Sequence, residues 1–178
     1  RPAARILAQT WVSEGRGMNF PRYFRLEKED GTTAAEGASA WVLIHLNTHL
    51  PVRAIDFEYG FSPEEPLPFA TPRRFTVPSD MVEVGQRRIV YSDIDYNGHM
   101  NNTRYLDWMM DLLPSEFHRK HRIQDFTVCY LSEAREGQEL DFRWDFPEDG
   151  CLQVDAHRRS DGKDERIFAA KIFWECYS

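Results

Sequence analysis

The chain has 178 residues, of which 29 are acidic and 22 are basic, so its net charge is −7. This negative charge argues against nucleic acid or an anionic membrane surface as the main partner. Apolar residues make up 42% of the sequence, enough for a folded core, and no apolar run approaches the ~18 residues that a membrane span needs. Three widely spaced cysteines without a CxxC pair indicate neither a disulfide framework nor a zinc site, and they fit a reducing compartment such as the bacterial cytoplasm.

The first part of the chain predicts β-structure followed by a connector. Its apolar and β-branched residues predict three strands, at residues 6–12, 18–26 and 38–46. The Asp-Gly pair at positions 30–31 is typical of a tight hairpin turn. Six prolines then fall between positions 51 and 78, and they predict a stiff, extended connector over residues 51–79.

The remainder of the chain predicts a strand, a polar turn, one long helix and an antiparallel meander. Apolar residues at helical spacing place the helix over residues 105–113. The strands are predicted at residues 82–90, 125–133, 139–146, 152–158 and 166–177, with turns at 147–150 and 160–163. This order describes an α+β fold in which a helix is wrapped by a curved antiparallel sheet.

Tryptophans recur 30 residues apart in both halves of the chain, as the pairs Trp11 and Trp41, and Trp144 and Trp174. A glycine follows the first tryptophan of each pair by six residues. The coincidence predicts a duplicated unit, with two unrelated meanders as the alternative. The second copy has a strand, turn and helix before its meander, whereas only ten residues precede Trp11. We therefore expect the natural protein to be longer at its N-terminus.

The polar turn at residues 93–102 concentrates two carboxylates, three carboxamides and an imidazole. The helix that follows would present free backbone N–H groups and a partial positive charge at its N-terminus. Groups that take up protons, placed beside donors that hold an anion, are what acyl hydrolysis requires. The turn is therefore the candidate active site.

Two other interpretations of this turn stay open. Residues 93–98 also resemble the opening of a calcium-binding EF-hand loop. The glutamate expected at the twelfth loop position is replaced by Arg104, however, and a strand precedes the turn instead of a helix. In the second interpretation, the side chains of Asp95, Asn97 and Asn101 only shape a turn and cap the helix.

The turn and the start of the helix resemble the signature of the acyl–acyl carrier protein (ACP) thioesterases, which include plant plastid enzymes and bacterial relatives. The residues that carry the resemblance are Asp95, Asn97, His99, Asn101, Asn102 and Tyr105. It extends through Thr10-Trp11, residues 41–44 and the connector. Because the family is built as tandem hotdog domains, the resemblance implies that residues 1–50 are the C-terminal half of a first hotdog. Residues 51–79 would then be a connector and residues 80–178 a complete second hotdog that carries the site.

The family's catalytic set is the Asp, Asn and His of the signature and a glutamate on the following strand. The resemblance thus implies catalytic roles for Asp95, Asn97, His99 and Glu133, which lies 34 residues after the histidine. Many members have a cysteine directly after the glutamate, where this chain has Ala134, so a Cys–His mechanism at that position is excluded. Cys129, on the same predicted strand, matches no family role and is interpreted as a small buried residue.

Further residues are expected to contact the substrate. Backbone N–H groups near Asn101 and Asn102 are the expected oxyanion donors. Tyr105 and Trp108 lie on the helix face that forms the core, and part of this face is expected to line the acyl tunnel. Asp93 is interpreted as a turn residue, since the signature does not include it.

The implied substrate is a fatty acyl thioester on the phosphopantetheine arm of ACP, hydrolysed without a cofactor or a metal. The sequence leaves open whether Asp95 positions water for general-base attack or forms an acyl-aspartyl intermediate. Because ACPs are acidic, docking needs a basic surface. Residues 119–122 are the densest basic segment, with 73–74 and 87–88 as alternatives. The resemblance also leaves homodimer formation open.

Other functions remain alternatives to ACP thioester hydrolysis. An acyl-CoA thioesterase of the hotdog fold would prefer CoA thioesters to matched ACP thioesters. A non-catalytic acyl-binding hotdog would use the turn only as a helix cap. A hotdog dehydratase is disfavoured, because it would pair a histidine with a single acid and lack the asparagine-rich turn.

Overall fold

In this computed structural model, residues 5–48, 50–69, 71–72, 74–160 and 162–177 are described. The chain divides into two compact units, residues 1–73 and residues 74–178. Much of the predicted connector therefore belongs to the first unit. The finer division at residues 50 and 79 stays a prediction.

The first unit contains a three-stranded antiparallel sheet in the order β1 (Ile6–Val12), β2 (Phe20–Lys28) and β3 (Thr33–Trp41). At the predicted hairpin turn, the Asp30 carboxylate accepts hydrogen bonds from the backbone N–H and the hydroxyl of Thr32, at 2.9 and 2.6 Å. Gly31 has a φ of +79°, which glycine adopts readily. Because this tight turn fixes the register, β3 begins directly after it. The strand predicted at residues 38–46 is therefore wrong by five residues at each end, since β3 spans Thr33–Trp41.

The segment after β3, which contains much of the predicted connector, packs onto the first sheet. Phe57 makes an edge-to-face contact with Phe20, their ring centroids being 5.2 Å apart. The hydroxyl of Tyr59 accepts a hydrogen bond from the backbone N–H of Gly15 at 2.8 Å. Trp11 donates from Nε1 to the carbonyl of Glu65 at 3.0 Å. Aromatic residues between the prolines thus hold this segment to the sheet.

The second unit contains the predicted strand, turn, helix and meander. Its five strands are β4 (Val82–Arg88), β5 (His121–Tyr130), β6 (Glu139–Glu148), β7 (Cys151–Ser160) and β8 (Lys163–Cys176). They form an antiparallel sheet in the order β4-β6-β7-β8-β5, so the β6-β7-β8 meander occupies its centre. Gly150 and Gly162 have positive φ in the two meander turns, while Asp161 lies outside the described residues.

The helix predicted over residues 105–113 is present, and a second, short helix that was not predicted follows it. They are α1 (Asn102–Asp111) and α2 (Ser115–Lys120). Pro114 separates them, since a proline cannot donate a helical hydrogen bond and disfavours helical backbone in the residue before it. None of the described helices has the length and apolar character needed to cross a bilayer.

Helix α1 packs its apolar face against the second sheet. Tyr105 stacks on Phe168 at a centroid distance of 5.0 Å, and Trp108 lies 6.0 Å from Phe142. The centre of β7 contributes Leu152, Val154 and Ala156 to this core, all fully buried. Burial of each large apolar side chain contributes roughly 1.5–3 kcal/mol. This packing fixes the start of α1 beside the polar turn.

Candidate active site

Asp93 stabilises the polar turn through hydrogen bonds to its carboxylate and to its backbone carbonyl. Its carboxylate is buried and accepts a hydrogen bond from the backbone N–H of Val90 at 3.0 Å. Its carbonyl accepts the N–H of Asn101 at 2.8 Å. The guanidinium of Arg104 lies 3.9 Å from the same carboxylate. These contacts assign Asp93 to turn formation, as interpreted from the sequence, and the nearby cation is unsuited to an EF-hand calcium site.

Asp95 lies in the same turn and is held there by three hydrogen bonds. Its Oδ1 accepts a hydrogen bond from the backbone N–H of Asn97 at 2.8 Å. Its backbone N–H donates to the carbonyl of His99 at 2.9 Å, and its carbonyl accepts the N–H of Gly98 at 3.0 Å. Gly98 has a φ of +80°, which closes this tight turn. Asp95 is thereby fixed at the backbone, while its Oδ2 makes no hydrogen bond within the described part of the chain.

His99 and Glu133 form the central side-chain pair of the site. Nε2 of His99 lies 2.9 Å from Oε2 of Glu133. The imidazole is mostly buried, whereas the glutamate side chain is 65% exposed. The adjacent backbones are joined by a hydrogen bond of 2.7 Å from Met100 N–H to the carbonyl of Ala134. Two segments far apart in sequence are thus held together at the His99–Glu133 pair.

Glu133 lies in a loop after β5, not on the strand predicted at residues 125–133. The strand ends at Tyr130, because the N–H groups of Leu131 and Ser132 both reach the carbonyl of Ile167 and break the regular pairing. Cys129 lies on β5 and does not line the pocket described below. Burial raises the pKa of its thiol, so it is unsuited to nucleophilic attack.

The start of α1 leaves one backbone N–H without a hydrogen-bond partner among the described residues. Asn101 caps the helix, since its Oδ1 accepts hydrogen bonds of 2.9 Å from the N–H and the hydroxyl of Thr103. The N–H of Asn101 is itself bonded to Asp93. The N–H of Asn102 makes no backbone hydrogen bond in the described residues, so it is the available oxyanion donor of the two predicted positions.

A pocket of about 500 Å³ brings most of the predicted site residues together. Seven of them line it: Asp95, Asn97, His99, Asn101, Asn102, Tyr105 and Glu133. Tyr130 also lines it and donates its hydroxyl to the carbonyl of Asn102 at 3.0 Å. Burial raises the pKa of Tyr105 to about 12 and also raises the pKa of Tyr130. Both phenols therefore stay protonated at neutral pH and can donate but not act as bases.

Trp108 is the predicted site residue that does not line this pocket. Its indole is buried against Phe142, and the guanidinium of Arg87 lies 5.1 Å from its ring centroid. Trp108 follows Tyr105 by three residues and so lies nearly a turn further along α1. Trp108 therefore belongs to the core, which was the alternative to the acyl tunnel for residues on this face of the helix.

Two arginines at the site were missed by sequence reasoning. Nη2 of Arg135 lies 3.2 Å from Nε2 of His99. Arg158 donates from Nη1 to the carbonyl of Glu133 and to Oε1 of Gln138, both at 3.0 Å. Arg135 follows Glu133 by two residues, but only a strand would have placed them on one face, and this segment is a turn. The Arg158 contacts depend on the sheet and have no sequence signal.

Comparison with known proteins was made on both sequence and structure. The model of the acyl-ACP thioesterase C-terminal domain matches residues 79–176, more than half of the chain. Oleoyl-acyl carrier protein thioesterase 1 of Arabidopsis thaliana is 26% identical over 149 residues, covering 75% of this chain and 40% of the relative. Palmitoyl-acyl carrier protein thioesterase of the same plant is 27% identical over 140 residues, covering 72% of this chain and 34% of the relative. The chain thus spans well under half of these curated relatives.

Solved structures support the same assignment. An acyl-ACP thioesterase from Bacteroides thetaiotaomicron has 31% sequence identity and a TM-score of 0.84, over 97% of this chain and 69% of that one. The 12:0-ACP thioesterase from Umbellularia californica has a TM-score of 0.76 at 15% identity, over 98% of this chain and 69% of that one. These similarities confirm the predicted α+β hotdog fold. With the family model matching over most of the second unit, the chain belongs to the acyl-ACP thioesterase family.

Proposed function

We propose that the protein hydrolyses fatty acyl-ACP thioesters and releases free fatty acid and holo-ACP. The observation that carries this proposal is the pocket in which the carboxylates of Asp95 and Glu133 lie with His99 and the free N–H of Asn102. The plant relatives are named as oleoyl- and palmitoyl-ACP thioesterases, which supports the same substrate class. Neither a metal nor an organic cofactor is needed for this chemistry, because carboxylates can activate water directly.

In the proposed reaction, each group in the pocket has a separate role. Glu133 accepts a proton from water while the water oxygen bonds to the thioester carbonyl carbon. The N–H of Asn102 stabilises the resulting oxyanion, and loss of such a donor commonly costs about 10²–10³ in rate. When the C–S bond breaks, the proton passes to the departing thiolate of phosphopantetheine. Asn97 and His99 hold Asp95 and Glu133 in position during these steps.

Asp95 admits two roles that an isotope experiment separates. In the first, its free Oδ2 orients the attacking water. In the second, Oδ2 attacks the thioester, forming an acyl-aspartyl anhydride that water then hydrolyses with the help of Glu133. A single turnover in oxygen-18 water labels the fatty acid in the first route. If water opens the anhydride at the aspartyl carbon, the label enters Asp95 instead, and mass spectrometry of the peptide detects it.

The main alternative function differs from the proposed one in the carrier of the acyl group, which would be CoA instead of ACP. An acyl-CoA thioesterase would hydrolyse acyl-CoA faster than the matched acyl-ACP, so kcat/KM for the two substrates separates the functions. A clear preference for CoA would overturn the proposal. A non-catalytic acyl-binding protein would bind both without turnover.

For ACP docking, the predicted basic segment at residues 119–122 is partly neutralised. Lys120 pairs with Glu116 at 2.6 Å, and Arg122 pairs with Glu175. Arg119 has no ion-pair partner in the described part of the chain, so it is the cation most available to an acidic carrier. We propose that Arg119→Glu raises KM for acyl-ACP and leaves KM for acyl-CoA unchanged. Homodimer formation and the cytoplasmic location stay predictions.

The proposal is tested by assaying a panel of acyl-ACPs with the wild-type chain and with Asp95→Ala and Glu133→Ala. Loss of a general base or nucleophile lowers the rate by about 10²–10⁴. Circular dichroism confirms that each variant is folded, and Lys163→Gln, which changes an exposed residue at the start of β8, serves as the control. If the wild type releases no fatty acid, or if both folded variants match it, the turn is only a helix cap and the proposal fails.

A further inference from the structure

Tyr130, the last residue of β5, is hydrogen-bonded to Asn102, the first residue of α1. Its hydroxyl donates to the carbonyl of Asn102 at 3.0 Å, across 28 positions of sequence. Both residues line the pocket. One side-chain hydroxyl therefore joins an edge strand of the second sheet to the residue whose N–H is the available oxyanion donor.

The direction of this hydrogen bond is fixed by the chemistry of its two partners. A backbone carbonyl can only accept, so the phenol must supply the proton. Burial raises the pKa of Tyr130 above its ordinary value, so the hydroxyl keeps that proton at neutral pH. A carbonyl oxygen has two lone pairs, and the bond from the phenol therefore does not displace a helical hydrogen bond to the same group.

The ring that carries this hydroxyl is held by aromatic packing. Its centroid lies 5.9 Å from that of Tyr105, in an edge-to-face contact, and 5.6 Å from that of Phe168. Tyr105 and Phe168 are both buried in the core between α1 and the sheet. Because the ring is already ordered by these contacts, little further conformational entropy is lost in holding its hydroxyl at the start of α1.

The peptide group that contains the N–H of Asn102 is also anchored on its other side. The preceding residue, Asn101, donates its own N–H to the carbonyl of Asp93 at 2.8 Å. Its side chain accepts a hydrogen bond of 2.9 Å from the N–H of Thr103. The oxyanion donor thus lies between two fixed points, Asn101 before it and the carbonyl held by Tyr130 after it. A donor that is fixed before the substrate arrives stabilises an oxyanion without reorganisation.

We propose that Tyr130 is a positioning residue, whose hydroxyl holds Asn102 so that the N–H of that residue is preorganised to stabilise the oxyanion. Tyr130 takes no part in bond making or breaking. The inference rests on the proposed hydrolase function and adds to it a residue that lies outside the signature.

The first test is Tyr130→Phe, which removes the hydroxyl and keeps the ring and its packing. We expect kcat on an acyl-ACP substrate to fall about tenfold, the rate equivalent of one hydrogen bond, with KM unchanged. The loss should be smaller than the 10²–10³ that commonly follows complete removal of an oxyanion donor, since the N–H is still present. Tyr177→Phe deletes the same atom from an exposed tyrosine of the second unit and should behave as wild type.

Two unreactive ACP-linked analogues separate positioning of the oxyanion donor from general stability. In one, a trifluoromethyl ketone replaces the thioester, and its hydrate resembles the tetrahedral intermediate. In the other, a thioether replaces the thioester and has no carbonyl oxygen. We expect Tyr130→Phe to weaken binding of the ketone by about the same factor as kcat and to leave binding of the thioether unchanged, because only the ketone presents an oxygen to the N–H of Asn102.

A third measurement needs neither substrate nor turnover. Nitrogen-15 relaxation in the full chain should give the Asn102 amide an order parameter near the rigid-backbone value of about 0.85 in wild type and a lower one in Tyr130→Phe. The amide of Asn101, held by Asp93, should be unchanged and is the internal control.

The inference is overturned if Tyr130→Phe keeps the wild-type kcat, if both analogues lose affinity equally, or if the Asn102 order parameter does not change. A wild-type chain that releases no fatty acid, while Tyr130→Phe still loosens the Asn102 amide, would instead overturn the proposed function. The two failures are therefore distinguishable.

Discussion

Removing the carboxylate of Asp155 should destabilise the second unit by about 3 kcal/mol. Asp155 is 1% exposed at the centre of β7. Its oxygens accept hydrogen bonds from Nε of Arg143 at 3.2 Å, Nε of Arg166 at 2.9 Å and Nε2 of His157 at 2.9 Å. One buried anion therefore serves three donors drawn from β6, β7 and β8.

The magnitude follows from the burial of these partners. Removing one member of a buried ion pair costs roughly 3–5 kcal/mol, because an uncompensated charge is left in a poorly hydrated place. Arg166 is one-third exposed and Arg143 about one-fifth, so both guanidinium groups can turn partly to water. The lower end of the range is therefore expected for Asp155→Ala.

Urea-induced unfolding of the full chain, followed by circular dichroism, measures this cost. Asp164→Ala is the matched control, because that carboxylate bonds the other nitrogen of His157 at 2.8 Å but is about half exposed. Exposed pairs are worth at most about 1 kcal/mol. If Asp155→Ala loses no more stability than Asp164→Ala, the assignment of the network to Asp155 is refuted.

Three further predictions concern acid stability, the helix cap and the core. Burial alone would raise the pKa of Asp155, but its contacts with His157 and the two arginines outweigh burial and lower the pKa below 3.8. Because the folded pKa lies below the unfolded one, this stabilisation is present above pH ~4 and is lost as pH falls through the lowered value. Urea midpoints measured down to pH ~2 should thus fall more steeply for wild type than for Asp155→Ala. Asn101→Ala should cost about 1 kcal/mol in the same unfolding assay, since it removes the cap of α1. Trp108→Ala should cost about 3–5 kcal/mol, because it leaves a cavity, while stopped-flow binding of acyl-ACP should show the pocket intact in the folded fraction.

The strands were predictable where local pattern and turn chemistry agree. β1 matches its predicted limits, and the strands of the second meander lie where alternation and the glycine turns predict them. The errors fall where distant backbone groups decide the outcome. β5 ends at Tyr130 because two successive N–H groups bond the carbonyl of Ile167, which lies on a strand far along the chain. No local pattern carries that information.

The helical segment shows a different kind of error. Apolar spacing continues through Leu112 and Leu113, so periodicity alone extends one helix past its end. Pro114 is the stop signal, and it divides the segment into α1 and α2. The prediction therefore ends α1 two residues late and does not include α2.

The candidate site was predictable to the extent that it lies in one short segment. Asp95, Asn97 and His99 belong to a turn whose geometry is local, and the resemblance supplied Glu133. Arg135 and Arg158 were out of reach, because their roles depend on how the loop after β5 meets the polar turn. Tertiary contacts between segments determine these roles, and neither spacing nor residue type encodes them.

The burial of Ala134 bears on whether a thiol at this position could act as a nucleophile. Its side chain is 1% exposed and belongs to the hydrophobic core, while its carbonyl accepts the N–H of Met100 and so joins the loop to the polar turn. The side chain of Glu133, one residue earlier, is exposed and reaches His99. The two neighbouring side chains therefore have different surroundings, the pocket for Glu133 and the core for Ala134. A thiol placed at residue 134 would be buried, and burial disfavours the thiolate that nucleophilic attack requires. The loop therefore presents the Glu133 carboxylate to the pocket and buries the side chain of residue 134 at the same time.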